Sequence, residues 1–197
     1  MEAILNVLNQ CAVSFDLPIL DWIQATLQSP FMDKFMPFIT VFGNGGIFWI
    51  AWAVLLILFP KTRRTGLGMG FALMMGLIVC NLILKPGVAR PRPYDMQAEM
   101  GVAIDLLVKR SHDFSFPSGH TIASFEAAVV LLMNSPVMGI PAMILAVLVS
   151  FSRLYLYVHY PTDVLVSVVL GTLFALIGNF IAKRIPLPGG KKGKYEK

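Results

Sequence analysis

Long stretches without a charged residue run through this chain and constrain its fold more than any other feature. Between Lys34 and Lys61, for example, every side chain is uncharged. A helix that crosses the hydrocarbon core of a bilayer needs about 20 mostly apolar residues. We predict five such spans, at 36–59, 66–84, 118–133, 137–151 and 161–182. Since hydrophobic residues make up 56% of the sequence, the predicted fold class is all-α, a polytopic membrane helical bundle of about five or six transmembrane helices.

Residues outside the spans divide into an N-terminal segment and a C-terminal tail. We predict residues 1–35 as an interfacial segment on the outer side, because they combine apolar residues and Trp22 with too many acids for a span. Whether residues 1–30 include an extra span stays open. Residues 36–184 form the predicted transmembrane domain, and residues 185–197 a basic cytoplasmic tail that we expect to be disordered from Gly190.

Free cations indicate the orientation of the bundle. Lys61, Arg63 and Arg64 lie on the same side as Lys183 and Arg184 if all five predicted spans cross. Cytoplasmic loops carry an excess of Lys and Arg, so this side is predicted to be cytoplasmic. The net charge of +5 then reports topology, and we expect a bilayer and a membrane lipid as partners and no nucleic acid. The oligomeric state is unknown from the sequence.

Three short polar clusters fall at span ends on the opposite, outer side. They are Lys85 through Arg92-Pro93, Pro117-Ser118-Gly119-His120, and Ser152-Arg153 followed by His159 and Asp163. Cleavage of a phosphate ester needs cations for the phosphate oxygens, a nucleophile, and an acid for the leaving oxygen. Arginine forks and the free N–H groups of a helix N-terminus, here predicted at Ser118, both bind phosphate. The clusters therefore predict one phosphate site assembled from three places.

His159 and Asp163 are four residues apart. If a helix begins just before Pro161, Asp163 can hold one imidazole nitrogen as N–H and leave the other free to attack phosphorus. His120 would face this pair as the proton donor. Spacing alone leaves open which histidine attacks.

These residues together resemble the tripartite signature of the type 2 phosphatidic acid phosphatase superfamily. Lys85 is followed after six residues by Arg92-Pro93, then by Pro-Ser-Gly-His at 117–120, and Arg153 is followed after five residues by His159 and three more by Asp163. Bacterial undecaprenyl-diphosphate phosphatases of this type share the pattern. The resemblance implies a helical membrane phosphatase without a metal or other cofactor.

The resemblance also implies a role for each residue. His159 would be the nucleophile that forms a phosphohistidine, Asp163 would orient it, and His120 would be the general acid. The residues implied to bind the substrate phosphate are Lys85, Arg92, Ser118, Gly119 and Arg153. Only the family spacing selects Arg92 over Arg90, which we interpret as a supporting cation.

Several functions remain open within this reading. The favoured one is hydrolysis of a lipid phosphate or diphosphate, such as undecaprenyl diphosphate, at the outer face of the cell membrane. Phosphatidic acid and phosphatidylglycerol phosphate are alternative substrates, and transfer of the phosphoryl group to another lipid is an alternative reaction. An alternative from another class is lipid phosphate binding or transport without hydrolysis.

Local patterns add four expectations. Lys85-Pro86 should end the second span, because proline disfavours a helical residue before it. Met96, Met100, Ala103 and Leu107 recur at helical spacing and predict a short interfacial helix. Glu126 should make a structural hydrogen bond inside its span. The glycines at 43, 45 and 46 should allow close packing or a break in the first span.

Overall fold

Helices alone build the part of the chain that the computed structural model describes, residues 2–186. No strand occurs in this range. In chain order the helices are α1 (2–27), α2 (Met32–Leu58), α3 (63–88), α4 (Pro93–Glu99), α5 (Gly119–Asn134), α6 (Pro136–Tyr155) and α7 (Pro161–Arg184). The predicted all-α membrane bundle is confirmed, and its five predicted spans correspond to α2, α3, α5, α6 and α7.

Length and apolar content qualify five helices of the described chain as membrane-spanning: α1, α2, α3 together with α4, α6 and α7. Helix α5 has 16 residues, a length of about 24 Å, and is therefore short for a span. It packs against α2, α3, α6 and α7, so neighbouring helices rather than lipid surround it. The protein is a multi-pass membrane protein.

Small residues let the helices approach closely at the centre of the bundle. A Cβ atom on Gly178 of α7 would lie 2.6 Å from the Gly68 carbonyl oxygen of α3, which only glycine permits. Trp49 of α2 is fully buried beside α5 and donates its indole N–H to Ser124 Oγ at 3.0 Å. These contacts hold α2, α3 and α7 around α5.

Helix α2 breaks in its middle, at Val41–Gly46. Gly45 and Gly46 have φ of 58° and 67°, a region that costs a residue with a Cβ atom about 1–2 kcal/mol. Gly43 packs against α5, where an added Cβ would lie 2.6 Å from His120 Cδ2. The glycines of this segment therefore provide both predicted features, a break and a close contact.

The expected end of the second span at Lys85-Pro86 is wrong. A π-helical segment, Leu77–Leu84, precedes the proline, and the Lys85 N–H donates to the Cys80 carbonyl five residues back. The helix continues as Lys85–Val88 and ends at Ala89, which has φ of 52°. The wide π turn changes the hydrogen-bond register ahead of the proline and so accommodates it inside the helix.

The predicted interfacial helix is also shorter and earlier than expected. Helix α4 covers Pro93–Glu99, and Gly101 ends it with φ of 82°. The Val102 N–H returns to the Gln97 carbonyl at 2.9 Å, as in a Schellman motif. Of the four periodic residues only Met96 is helical, since a left-handed glycine ends the helix despite the apolar period.

Helix α1 contacts the end of the bundle that carries the polar clusters. Its Leu8 packs with Val88 and Phe116, and Gln24 donates to the Tyr155 carbonyl at 2.6 Å. These contacts support a helix that lies across this end, although its length and hydropathy would also suit a span. The interfacial segment at 1–35 stays a prediction.

The predicted basic tail falls mostly at 187–197, outside the described residues.

Candidate active site

The three polar clusters meet at one cavity of about 670 Å³. It lies where α3 ends, α5 begins and α6 leads into α7. Six of the eight predicted site residues line it: Lys85, Arg92, Gly119, His120, Arg153 and His159. The other two, Ser118 and Asp163, are fully buried, Ser118 next to Gly119 in the chain and Asp163 beside the His159 ring.

Two of the predicted phosphate-binding cations share one carboxylate, Asp113. Lys85 Nζ lies 2.5 Å from Asp113 Oδ2, and Arg92 Nη2 lies 2.6 Å from Asp113 Oδ1. Arg92 also donates to the Val158 carbonyl at 2.6 Å, so the backbone fixes its guanidinium. The cations are thus arranged for an anion with several oxygens, and Asp113 satisfies them in this structure.

Arg153, in the last turn of α6, is the third cation. Its Nη1 donates to Thr40 Oγ1 of α2 at 2.5 Å. Its Nε finds no hydrogen-bond partner among the residues described. Arg153 itself lines the cavity, and a guanidinium there can bind phosphate oxygens.

The N-terminus of α5 presents Gly119 to the cavity. Ser118 precedes the helix with extended backbone, and its N–H donates to Ser167 Oγ at 2.8 Å. Its hydroxyl oxygen accepts a hydrogen bond from Thr121 Oγ1 at 3.1 Å. The first N–H groups of a helix have no intrahelical acceptor, so the amides of Gly119 and His120 are the ones available to an anion.

His159 lies in the turn before α7 with both ring nitrogens directed at functional groups. Nδ1 is 3.5 Å from Asp163 Oδ2 and 3.5 Å from Ser115 Oγ. Nε2 is 3.5 Å from Arg92 Nη1. Asp163 can therefore hold the proton at Nδ1, while Nε2 faces the cation that would bind phosphate.

Asp163 is itself held on three sides. Its Oδ2 accepts hydrogen bonds from Ser115 Oγ at 2.5 Å and from the Tyr160 N–H at 3.1 Å, and its Oδ1 accepts one from Arg90 Nη1 at 2.5 Å. Arg90, interpreted from the sequence as a supporting cation, thus contacts the acid of the pair directly.

His120, in the first turn of α5, contacts the break in α2. Its Nε2 lies 2.8 Å from Asn44 Oδ1. Because that amide oxygen can only accept, His120 Nε2 carries the hydrogen in this contact. The backbone turn at residues 44–46 therefore places a polar group that fixes the tautomer of the predicted general acid.

The pKa values of His159, in the turn before α7, and of Asp113, in the loop before α5, indicate the charge state of each group. Burial lowers the pKa of His159 well below its ordinary value, and the charges of Arg92, Arg153 and Lys85 add to this effect. Burial would raise the pKa of Asp113, but hydrogen bonds from Lys85 and Ser111 and the nearby cations hold it well below its usual range. His159 is therefore a neutral base near pH 7, and Asp113 is an anion.

Away from the cations the cavity becomes apolar and runs between α2, α3 and α5. Its walls there include Ile50, Val54, Leu73 and Leu77. One polar residue lies in this part: Glu126 is buried against Gly76, and its Oε1 has no hydrogen-bond partner within residues 2–186. The expected structural hydrogen bond of Glu126 is therefore missing at this atom, and the carboxyl group lies directly against Gly76.

Sequence reasoning missed Asp113, Ser115 and Asn44. Asn44 had a usable signal, a polar residue among glycines inside an apolar span. Asp113 and Ser115 lie in a long loop whose path no periodicity predicts.

Metal binding gains no support from the described residues. Within 2–186, no group of three or more His, Cys, Asp or Glu side chains could hold an ion. The absence of a cofactor stays a prediction.

Comparisons with known proteins agree with this geometry. The PAP2 superfamily model matches residues 65–184. An undecaprenyl-diphosphatase of Sulfolobus acidocaldarius is 32% identical over 79% of this chain and 73% of its own length. The crystal structure of LpxE from Aquifex aeolicus aligns with a TM-score of 0.70 and 26% identity over 83% of this chain and 93% of that one. A PAP2 type phosphatidylglycerolphosphate phosphatase from Bacillus subtilis aligns with a TM-score of 0.71 and 28% identity, over 89% and 88% of the two chains.

Proposed function

The chain belongs to the PAP2 superfamily, and from this premise we propose that it hydrolyses a lipid phosphate or diphosphate at the outer membrane face through a phosphohistidine on His159. It is a membrane phosphatase that hydrolyses phosphoric esters. The observation that carries the mechanism is the orientation of His159, with Nδ1 toward Asp163 and Nε2 toward Arg92.

The proposed reaction has two steps. His159 Nε2 attacks phosphorus, the bond from phosphorus to the leaving oxygen breaks, and His120 gives that oxygen a proton. Water then attacks the phosphohistidine, His120 takes a proton from it, and the bond to Nε2 breaks to release inorganic phosphate. Lys85, Arg92, Arg153, the Ser118 hydroxyl and the Gly119 amide hold the phosphate oxygens in both steps, and Asp163 stabilises the charged imidazole.

Undecaprenyl diphosphate is our preferred substrate. The cavity has a cationic end and an apolar branch, which suits a phosphate head joined to a long hydrocarbon tail. The Sulfolobus relative carries the name of an undecaprenyl-diphosphatase. Phosphatidylglycerol phosphate is the second candidate, because the Bacillus subtilis structure of the same fold is a phosphatidylglycerolphosphate phosphatase.

The decisive experiment measures phosphate release by the purified protein with a metal chelator present. The panel contains undecaprenyl diphosphate, phosphatidylglycerol phosphate and phosphatidic acid. We expect wild-type turnover, loss of activity to background in His159→Ala, and a fall of about 10²–10⁴-fold in His120→Ala. The exposed loop residue His112 gives the matched control, His112→Ala, which should keep wild-type activity.

The covalent step is tested separately. Brief incubation with radiolabelled substrate should leave an acid-labile phosphoryl group on the wild type and none on His159→Ala. Full activity of His159→Ala would refute the mechanism. Binding of lipid phosphates without any release of phosphate would favour the non-catalytic alternative, and phosphorylated acceptor lipids would indicate transfer.

The proposed outer location of the site is supported by Lys61, Arg63 and Arg64, which lie where α2 ends and α3 begins, at the end of α3 away from Lys85. A fluorescent protein fused to the C-terminus, where α7 ends on that side, should fold and fluoresce in the cytoplasm. A fusion that is produced in the membrane but does not fluoresce in the cytoplasm would indicate the reverse orientation.

A further inference from the structure

Arg90 connects three segments that are far apart in the sequence. Its fully buried guanidinium donates through Nη1 to Asp163 Oδ1 at 2.5 Å and to Thr162 Oγ1 at 2.9 Å. Through Nη2 it donates to Asp16 Oδ2 at 2.8 Å and to the Leu8 carbonyl at 2.7 Å. One side chain thus ties helix α1 to the acid that faces His159.

Asp16 reaches the start of α7 independently of Arg90. Its Oδ1 accepts the Thr162 N–H at 2.9 Å, and its Oδ2 accepts the Thr162 hydroxyl at 2.7 Å. Asp16 is fully buried and is the last residue of a π-helical segment, Ala12–Asp16, within α1. Such segments are frequent at functional sites, and this one presents an acid to the helix turn that contains Asp163.

The backbone of Arg90 holds the second group beside His159. The Ser115 N–H donates to the Arg90 carbonyl at 2.9 Å, and Ser115 Oγ in turn donates to Asp163 Oδ2 at 2.5 Å. Both groups that lie 3.5 Å from His159 Nδ1 are therefore fixed by one residue. The Tyr160 ring, with the guanidinium 3.7 Å from its centroid, closes the cluster on another side.

Charge makes Asp16 more than a structural contact. Two buried carboxyl groups share one guanidinium, and with both ionised they leave one negative charge in excess on the Asp163 side of the imidazole. Without Asp16, the Arg90 charge would act on Asp163 alone and weaken its interaction with His159. When Nε2 attacks phosphorus, the imidazole becomes positive, and an excess of negative charge behind Nδ1 stabilises it.

We propose that Asp16 and Arg90 are positioning residues for the His159–Asp163 pair, so that helix α1 completes the active site electrostatically. This inference rests on the proposed function, in which His159 attacks. Asp16 lies outside residues 65–184 that the family model matches, and it comes from the segment predicted to be merely interfacial.

Asp16→Asn tests the charge with little change in shape. We expect kcat on undecaprenyl diphosphate to fall about 10–100-fold, as when a partner that orients a functional histidine is removed. KM should change little, because the phosphate ligands are untouched. Asp21→Asn is the matched control, since exposed Asp21 of the same helix accepts the Tyr157 hydroxyl at 2.6 Å. It should keep wild-type kcat.

The pH profile distinguishes the loss of the Asp16 negative charge from a general loosening of the site. Removing a negative charge lowers the pKa of His159 further, so the acid limb of kcat/KM should move to lower pH. His159 also faces Lys85, Arg92, Arg153 and Asp113, and His120 lies in the same cavity, but Asp16→Asn changes none of these groups. A merely loosened site would admit water and move the limb upward, toward the ordinary histidine value.

Arg90→Lys tests the cluster from its centre, because lysine cannot hold two carboxylates through a planar fork. It should lose kcat to a similar extent, while the melting temperature reports folding of each variant. Wild-type kcat in both Asp16→Asn and Arg90→Lys, or an upward shift of the acid limb, would overturn this inference alone. An active His159→Ala would overturn the proposed function and this inference together.

Discussion

At the scale of single residues, Asp113 is the acid that occupies two cations of the candidate site. It is half exposed, yet it pairs with both Lys85 and Arg92, two of the cations that we propose bind the substrate phosphate. Since its pKa lies well below its usual range, it stays ionised wherever the enzyme is expected to work. Phosphate must therefore compete with this carboxylate for the same donors.

We predict that Asp113→Asn strengthens phosphate binding. Removing the competing charge should lower the inhibition constant of inorganic phosphate roughly fivefold, the effect of about 1 kcal/mol for a partly exposed ion pair. Inhibition of lipid hydrolysis by added phosphate measures it. Asp105→Asn, at an exposed position of the same loop, is the control, and an unchanged or weaker inhibition in Asp113→Asn would show that Asp113 does not compete.

At the scale of elements, the break in α2 serves the site as well as the fold. It turns the backbone at Gly45 and Gly46 and brings Asn44 to 2.8 Å from His120 Nε2. Gly43 leaves the space that the His120 ring occupies. A span that ran straight through this segment would satisfy the membrane equally well but would leave His120 without its partner.

Gly43→Ala is predicted to impair catalysis through His120. The new Cβ would lie 2.6 Å from His120 Cδ2 and 2.9 Å from Val149 Cγ1, so the ring must move. A displacement of about 1 Å can cost about 10²-fold in rate, and kcat for phosphate release measures the loss.

Gly70→Ala provides the comparison, because a Cβ at Gly70 meets no described atom within 4 Å. It should retain wild-type kcat. Equal kcat values for the two alanine variants would show that the close contact at Gly43 does not position His120.

At the scale of the whole molecule, the bundle builds a cavity that is cationic at one end and apolar between α2, α3 and α5. Ile50, Val54 and Leu77 in the wall of this branch are about half exposed, so the branch is an apolar groove that opens toward the bilayer. We expect the hydrocarbon tail that follows the phosphate to lie in this groove.

Val54→Trp should block this branch. We expect lower activity on a long-tailed lipid phosphate and unchanged activity on a short, water-soluble phosphate ester, because the cationic end stays intact. Leu58→Trp changes an exposed residue of the same helix that does not line the cavity, and it should affect neither substrate. An equal loss on both substrates in Val54→Trp would place the tail elsewhere.

Most of the membrane spans could be predicted from local sequence patterns. Apolar length and charge interruptions are properties of short segments, and they predicted the spans that became α2, α3, α5, α6 and α7. Where a local backbone detail opposed the pattern, prediction failed: a π turn carried α3 past Lys85-Pro86, and Gly101 ended α4 early. Such details depend on a few dihedral angles that composition does not reveal.

The sequence by itself determined the fold class, because span length is local and follows from helix geometry. It also determined the eight candidate site residues, although only the family spacing selects Arg92 over Arg90. Only the tertiary structure decided which groups surround them. Asp16, Arg90 and Asp163 meet although 74 and 73 residues separate Arg90 from its two acids. Pairing over such distances is set by how the helices pack, and the cost of burying charge then selects the partners.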